Sequence, residues 1–174
     1  MGWLDEARYR DSPVATVAEL SRFHDPAYLA ALLDAERDQE LDEARRRRHA
    51  IGTLDNPIFP EIFRRPATAA GGSILAARLI GEGIEDVIHS PAGGTHHGRP
   101  DRASGFCYLN DAVRGIRGRL DRGLSPILYV DVDAQHGDDP GGNRWGRLID
   151  RAWKATVKAL RNMTGSAVPQ GDVA

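Results

Sequence analysis

The stretch SPILYVDVDAQHGDD, residues 125–139, decides the fold that the sequence predicts. It begins as a continuously apolar strand and ends in a cluster of carboxylates and an imidazole. Such strands are typical of parallel sheets covered by helices on both faces. Open sheets of this kind bind ligands beyond the carboxyl ends of their strands, where the polar residues of this stretch fall.

The segments before this strand complete a right-handed parallel crossover. DVIHS, residues 86–90, is predicted as a short strand, and NDAVRGIRGRLDRG, residues 110–123, as a helix that ends at Gly123. ATAAGGSILAARLI, residues 67–80, is predicted as a helix buried against the sheet, with Gly71 and Gly72 allowing close approach. The sequence therefore predicts an α/β protein with a partial, open, mainly parallel sheet flanked by helices.

Residues 24–50 are predicted to form one helix, broken once, with Asp25 as its cap and Pro26 at its first position. Arginines 45–48 follow a series of acids, a pattern typical of a solvated face. LDNPIFPEIFRRP, residues 54–66, contains three prolines and is predicted to be irregular, with Phe59 and Phe63 packed inward.

Length, composition and charge predict one ordinary domain. The chain has 174 residues, 41% of them hydrophobic, and a net charge of −2, which gives no reason to expect a nucleic-acid partner. The single Cys107 excludes an intramolecular disulfide and suits a reducing cytoplasm. Because we find neither a signal peptide nor a transmembrane run, the sequence predicts a cytoplasmic protein.

Two polar loops follow the two predicted strands. The first, PAGGTHHGRPDRASGFCY, carries His96 and His97, and the second carries the carboxylates Asp131, Asp133 and Asp138. Carboxylates in an apolar strand are costly to bury unless they bind a cation or an imidazolium. The combination predicts a metal site flanked by imidazoles whose basicity the carboxylates raise, as in a hydrolase that activates water. The alternatives are solvated histidines and acids that cap the next helix.

PAGGTHHGRPDRASGFCYLND and ILYVDVDAQHGDD together resemble the zinc-dependent histone deacetylase family, especially its bacterial acetoin-utilisation and acetylpolyamine-hydrolase branch. The resemblance extends over residues 20–138. It implies an arginase/deacetylase-like fold and hydrolysis of acetyl-lysine or an acetylated polyamine by zinc-activated water. A structural potassium ion is a second cofactor that the resemblance implies.

The resemblance also implies roles for individual residues. His97 matches the general base, and His96 is its catalytic partner. Asp131 would orient His96, Asp138 would orient His97, and Asp133 matches a zinc ligand. Two further residues, Gly105 and Phe106, match positions that line the acyl-lysine channel, whereas Cys107 and Tyr108 are interpreted as packing residues.

Two departures from the family pattern affect the metal site. Gln135 stands where the family has a zinc-ligand histidine, and a neutral amide is a weaker donor than an imidazole. The family sequence after Asp138 is absent, so at most one family zinc ligand of three, Asp133, is present. We therefore expect a truncated member with weak or no activity.

Three alternatives to that expectation remain open. One is an active hydrolase that takes ligands from a second chain or uses another metal. Another is a non-catalytic module that binds acyl-lysine or a partner, and a third is an interrupted reading frame. A partner chain or a second copy could also cover the exposed edge of the sheet.

The predicted organisation has three parts: residues 1–140 as the deacetylase-like part, residues 141–163 as a basic amphipathic helix, and residues 164–174 as a disordered tail. The helix is interpreted first as a cover for the sheet, with binding to a membrane surface, a partner or nucleic acid as alternatives.

Overall fold

The computed structural model describes residues 8–124 and 126–131. The chain divides into two compact units, residues 1–124 and 125–174. The first unit contains five helices in its described part: α1 (Val17–Leu20), α2 (Pro26–Asp38), α3 (Glu43–His49), α4 (Arg64–Gly81) and α5 (Asp111–Leu120). None of the helices within the described ranges has the length and apolar content needed to cross a membrane.

Side-chain caps explain where the helices begin. The Asp25 carboxylate accepts the N–H groups of Ala27 and Tyr28 at the start of α2, and Pro26 occupies the first turn. Asp42 caps α3 in the same way. The predicted helix over residues 24–50 is thus confirmed, including its single break.

The core of the first unit lies between α2, α4 and the irregular segments around them. Its fully buried large side chains include Leu20, Tyr28, Leu29, Leu32, Ile51, Ile62 and Leu109. Each buried leucine or isoleucine contributes about 1.5–3 kcal/mol by leaving water. The predicted inward packing of Phe59 and Phe63 is confirmed, because Phe63 is buried and Phe59 packs against this core. The segment predicted as irregular ends earlier than expected, because α4 already begins at Arg64.

Helix α4 packs closely against the N-terminal segment. A Cβ atom on Gly71 would lie 1.9 Å from the carbonyl oxygen of Pro13. The Ala15 N–H donates to the Ala67 carbonyl oxygen at 2.9 Å, which joins the segment to the helix. Gly71 does allow a close approach, but the neighbour is the N-terminal segment and not the sheet that the sequence predicted.

The strand predicted at residues 86–90 is wrong for this structure. These residues belong to no strand, and the Val87 side chain is 87% exposed. Residues 126–131 form no strand either, and Val130 is 61% exposed. An apolar run gives a strand only where a neighbouring backbone completes the ladder, and the only bridge among the described residues joins Ser104 to Cys107.

The mixed charges of α2 and α3 form a solvated face, as predicted. Arg45 pairs with Asp34 at 2.6 Å and also with Asp42, and Arg47 pairs with Glu43 at 2.6 Å. The acids and bases thus neutralise one another on the surface. The predicted amphipathic helix at residues 141–163 and the tail at residues 164–174 lie outside the described residues.

Candidate functional site

The predicted histidine pair lies in the loop between α4 and α5. The His96 and His97 rings meet edge to face, with their centroids 4.2 Å apart, and both side chains are half-buried. Two neighbouring imidazoles can serve as a general base and a general acid, because one ring can accept a proton while the other donates one. The structure thus brings together the two histidines that the sequence singled out.

The buried amide Asn110 holds the loop around these histidines. Its Nδ2 group donates to the carbonyl oxygens of His96 and Gly98, each at 3.0 Å. Its Oδ1 atom accepts the Val113 N–H at 3.0 Å and so caps α5. One side chain therefore starts the helix and fixes the backbone on either side of His97.

The neighbouring carboxylate Asp111 fixes the start of the same loop. Its Oδ1 atom accepts the backbone N–H groups of Gly94 and Thr95 at 3.0 and 2.7 Å, together with the Thr95 hydroxyl. Its Oδ2 atom accepts the Ser73 hydroxyl of α4 at 2.7 Å. Asp111 lies in the first turn of α5, where the helix dipole favours a negative charge. The loop is thus tied to both α4 and α5.

Substituting Asn110 tests how much its hydrogen bonds to the histidine loop stabilise the protein. Asn110→Asp keeps the cap oxygen but turns a buried carboxylate towards the two carbonyl oxygens of His96 and Gly98. We expect the free energy of unfolding to fall by about 2 kcal/mol or more, because two buried hydrogen bonds are lost. Urea denaturation at neutral pH measures the change.

The matched control is Asp25→Asn, which makes the reverse replacement, of aspartate by asparagine, at the cap of α2. Asn and Asp cap helices about equally well, so its effect should stay within about 1 kcal/mol. Equal losses of unfolding free energy in the two variants would show that the hydrogen bonds from Asn110 to the loop contribute nothing to stability.

Gly105 and Phe106 form the tip of a tight turn beside His97. The turn is closed by the Ser104 N–H to the Cys107 oxygen at 3.1 Å and the reverse bond at 2.8 Å. Its two central residues have φ values of +52° and +60°, as a type I′ turn requires. A Cβ atom on Gly105 would lie 3.0 Å from Cδ2 of His97, so the missing side chain makes room for the ring.

Phe106 is held with its side chain outward. The side chain is 65% exposed, although its positive φ is uncommon for a bulky residue. Its N–H donates to the carbonyl oxygen of Asp55 and to Oδ1 of the buried Asn56, both at 3.1 Å. These two acceptors keep the aromatic ring in place at the surface.

Cys107 and Tyr108 are packing residues, as predicted. Both are buried, and the Tyr108 ring packs edge to face on Phe59. The Tyr108 hydroxyl donates to the Pro57 carbonyl oxygen at 2.6 Å, and burial raises its pKa to about 12. A groove of about 730 Å³ lies beside them, and its lining includes Thr95 and Phe106 but neither histidine.

The second polar loop is described only at its start. Asp131 belongs to the second unit, where it is exposed and accepts the Tyr129 hydroxyl at 2.9 Å. Its predicted pairing with His96 stays a prediction. The other predicted site residues of this loop, Asp133, Gln135 and Asp138, lie outside the described residues.

The described residues provide no donor set for a catalytic zinc ion. Across the described residues, no group of three or more His, Cys, Asp or Glu side chains is placed to hold a metal ion. Of the zinc ligands that the resemblance implies, Asp133 is a good donor, whereas Gln135 offers only a neutral amide. A catalytic zinc site normally uses three protein ligands.

Sequence reasoning missed the residues that support the histidine loop. His24, Asn110 and Asp111 are buried polar side chains with partners far along the chain. Asn110 and Asp111 were assigned only to the start of a helix. One sequence signal could have indicated Asn110 and Asp111. They are two adjacent polar residues at a helix cap, and they directly follow the buried apolar residue Leu109.

Comparison with known proteins identifies the family. Residues 1–141 match the model of the histone deacetylase domain. The chain belongs to the histone deacetylase family. Histone deacetylase 8 of Xenopus tropicalis is 37% identical over 140 residues, which cover 79% of this chain and 37% of that relative. Histone deacetylase RPD3 of Saccharomyces cerevisiae is 37% identical over 131 residues, covering 75% of this chain and 30% of the relative.

The likeness to solved deacetylases extends to the fold. A histone deacetylase homolog from Aquifex aeolicus superposes with a TM-score of 0.74 at 37% identity, covering 79% of this chain and 37% of that one. The predicted α/β deacetylase-like class is thus confirmed, although the sheet itself is not seen in the described residues. The chain spans between 30% and 37% of the length of these relatives.

Proposed function

We propose that this deacetylase-family chain contributes the proton-transferring histidines and one wall of the acyl channel to a hydrolytic deacetylase site. The substrate class is an acetylated amine, either acetyl-lysine or an acetylated polyamine. The observation that carries the proposal is the half-buried His96–His97 pair, with ring centroids 4.2 Å apart in a loop fixed from both ends. Membership of the family supports the same reaction class.

Each histidine has a proposed part in the hydrolysis. A ring nitrogen of His97 takes a proton from the attacking water, and the imidazole pair returns a proton to the departing amine. Positioned acid–base groups of this kind contribute roughly 100- to 10,000-fold to a rate. Asp131 and Asp138 are the proposed partners that orient His96 and His97.

Gly105 and Phe106 are proposed to line the acyl channel. The exposed Phe106 ring offers an aromatic face to the methylene stem of the substrate, and Gly105 leaves space for His97. When zinc is bound in a deacetylase, it polarises the amide carbonyl and acidifies the water. Because Gln135 replaces a zinc-ligand histidine of the family pattern, this chain should bind zinc weakly, and we propose slow hydrolysis by the chain alone.

Several finer assignments stay predictions: the acetoin-utilisation or acetylpolyamine branch, the structural potassium ion, a cytoplasmic location, and an oligomer or partner chain. The division into residues 1–140, 141–163 and 164–174 is likewise a proposal.

Zinc binding and hydrolysis by the purified chain test the proposed function. We expect slow, zinc-dependent release of acetate from acetyl-lysine peptides or an acetylated polyamine, with kcat/KM reduced roughly 100-fold or more in His97→Ala. Gln135→His should tighten zinc binding at least tenfold, since even second-shell losses cost that much. Equilibrium dialysis followed by elemental analysis measures the metal.

Two outcomes would contradict the proposed function. One is an equal rate of acetate release in His97→Ala and the parent chain. The other is the absence of hydrolysis even in Gln135→His with zinc bound. If the folded chain still bound acetyl-lysine in that second case, and Phe106→Ala weakened the binding, a non-catalytic acyl-lysine-binding module would be the better account.

A further inference from the structure

His24 is a buried histidine outside the candidate site, and both of its ring nitrogens are occupied. Its side chain is 1% exposed and lies between the rings of Phe23 and Tyr28. Nδ1 lies 3.1 Å from the carbonyl oxygen of Arg99, and Nε2 accepts the backbone N–H of Asn110 at 3.1 Å. Both partners lie more than seventy residues away along the chain.

The two partners of His24 determine its tautomer. A backbone N–H group can only donate, so Nε2 must present its lone pair to Asn110. A carbonyl oxygen can only accept, so Nδ1 must carry the hydrogen that is donated to Arg99. His24 is therefore a neutral imidazole with its proton on Nδ1, and neither contact can be made by the other tautomer.

These contacts fix both ends of the segment that carries the histidine pair, residues 96–99. Arg99 directly follows Gly98, and Asn110 binds the carbonyl oxygens of His96 and Gly98 through Nδ2. His24 thus holds one end of the loop directly and the other through a single residue. Displacement of either contact would move the backbone that carries His97 against Gly105.

We propose that His24 is a positioning residue that sets the backbone of residues 96–99 and, through it, the direction of the His97 ring. The inference rests on the proposed role of His97 in proton transfer. His24 itself does not line the groove. Its contribution depends on hydrogen-bond geometry, and a side chain that merely fills the same volume would not replace it.

Two substitutions separate the two hydrogen bonds of His24 from one another. His24→Gln places an amide oxygen near the position of Nε2, so it can still accept the Asn110 N–H. His24→Asn reaches only the position of Nδ1, so it can donate to Arg99 but leaves Asn110 without its acceptor. Both replacements are neutral, polar and smaller than histidine, which makes them a matched pair.

Nuclear magnetic resonance on the ¹⁵N-labelled full chain provides the readout. We expect the exchange of the Asn110 backbone amide to stay within about threefold of the parent in His24→Gln and to rise about tenfold or more in His24→Asn, the effect of losing one hydrogen bond. The ring resonances of His97 should shift in both variants, because each variant loses one of the two contacts, whereas the side-chain amide of Asn110 should shift only in His24→Asn. Parental spectra for this loop in both variants would overturn the proposal.

A measurement on the parent chain keeps the proposal testable if His24→Asn does not fold. The ¹⁵N shifts of His24 should report a protonated Nδ1 and an unprotonated Nε2, with a scalar coupling across the hydrogen bond from Asn110. The opposite tautomer would overturn the proposal. None of these readouts involves hydrolysis, so an unaffected rate in His97→Ala would contradict the proposed function while leaving the positioning role intact.

Discussion

Gly71→Ala should destabilise the protein more than any other single methyl group added to a described glycine. The new Cβ atom would lie 1.9 Å from the carbonyl oxygen of Pro13, and 2.9 Å from its carbonyl carbon. Because the obstacle is backbone, the N-terminal segment must move and its hydrogen bond from Ala15 to Ala67 must break. Overpacking of this kind costs about 3 kcal/mol or more.

Thermal unfolding followed by circular dichroism measures that loss. For a chain of this length, about 3 kcal/mol corresponds to a fall in Tm of roughly 6–12 °C. The matched control is Gly115→Ala in α5, whose Cβ would lie at an ordinary contact distance of 3.5 Å from the Ser73 Cβ. This control should keep or raise the Tm, since alanine is favoured over glycine within a helix. Equal Tm values for the two variants would contradict the packing of α4 described above.

Acidification should destabilise the protein through His24. Burial lowers the pKa of His24 from its ordinary value of 6.5 to about 4, and the nearby Arg114 also lowers it, while hydrogen bonds to backbone carbonyls oppose the shift. Below pH 6.5 the His24 imidazole therefore binds a proton in the unfolded chain but not in the folded chain. The part of the unfolding free energy that depends on a neutral His24 is fully present above pH 6.5 and is lost as the pH falls through 4. The loss amounts to about 3 kcal/mol.

Urea denaturation between pH 7 and pH 4 checks this prediction when the parent is compared with His24→Gln. Glutamine does not titrate, so the variant should lack the part of the acid sensitivity that His24 causes. Surface carboxylates whose pKa is lowered by arginine partners, such as Asp34 and Asp121, lose stability at the acidic end in both proteins and cancel in the difference. Parallel stability curves for the two proteins would show that His24 is not the titrating group.

Local sequence signals predicted the helices well. Asp25 with Pro26 placed the start of α2, and the four arginines after a series of acids correctly predicted a solvated face. These features depend on contacts within one or two turns, so a local pattern contains the needed information. The histidine pair was also predicted, because two adjacent imidazoles in a glycine-rich loop form a recognisable motif.

Strands and supporting contacts could not be predicted in the same way. Residues 86–90 have the composition of a strand, yet a strand exists only when another backbone pairs with it. The contacts of His24 with Arg99 and Asn110 join parts of the chain more than seventy residues apart. Nothing in the local pattern around FHDP distinguishes such a histidine from a solvated one. The predicted metal ligands Asp133 and Gln135 lie outside the described residues.

The double attachment of Asn110 couples the motions of two parts of the fold. Its Oδ1 atom caps α5 while its Nδ2 group holds the loop, so the loop cannot open locally without fraying the first turn of the helix. Native-state opening of the two should therefore occur as one cooperative unit with a shared opening free energy. His96 and His97, the histidines proposed to transfer protons, would then be as rigid as a helix terminus, although they lie in a loop rich in glycine.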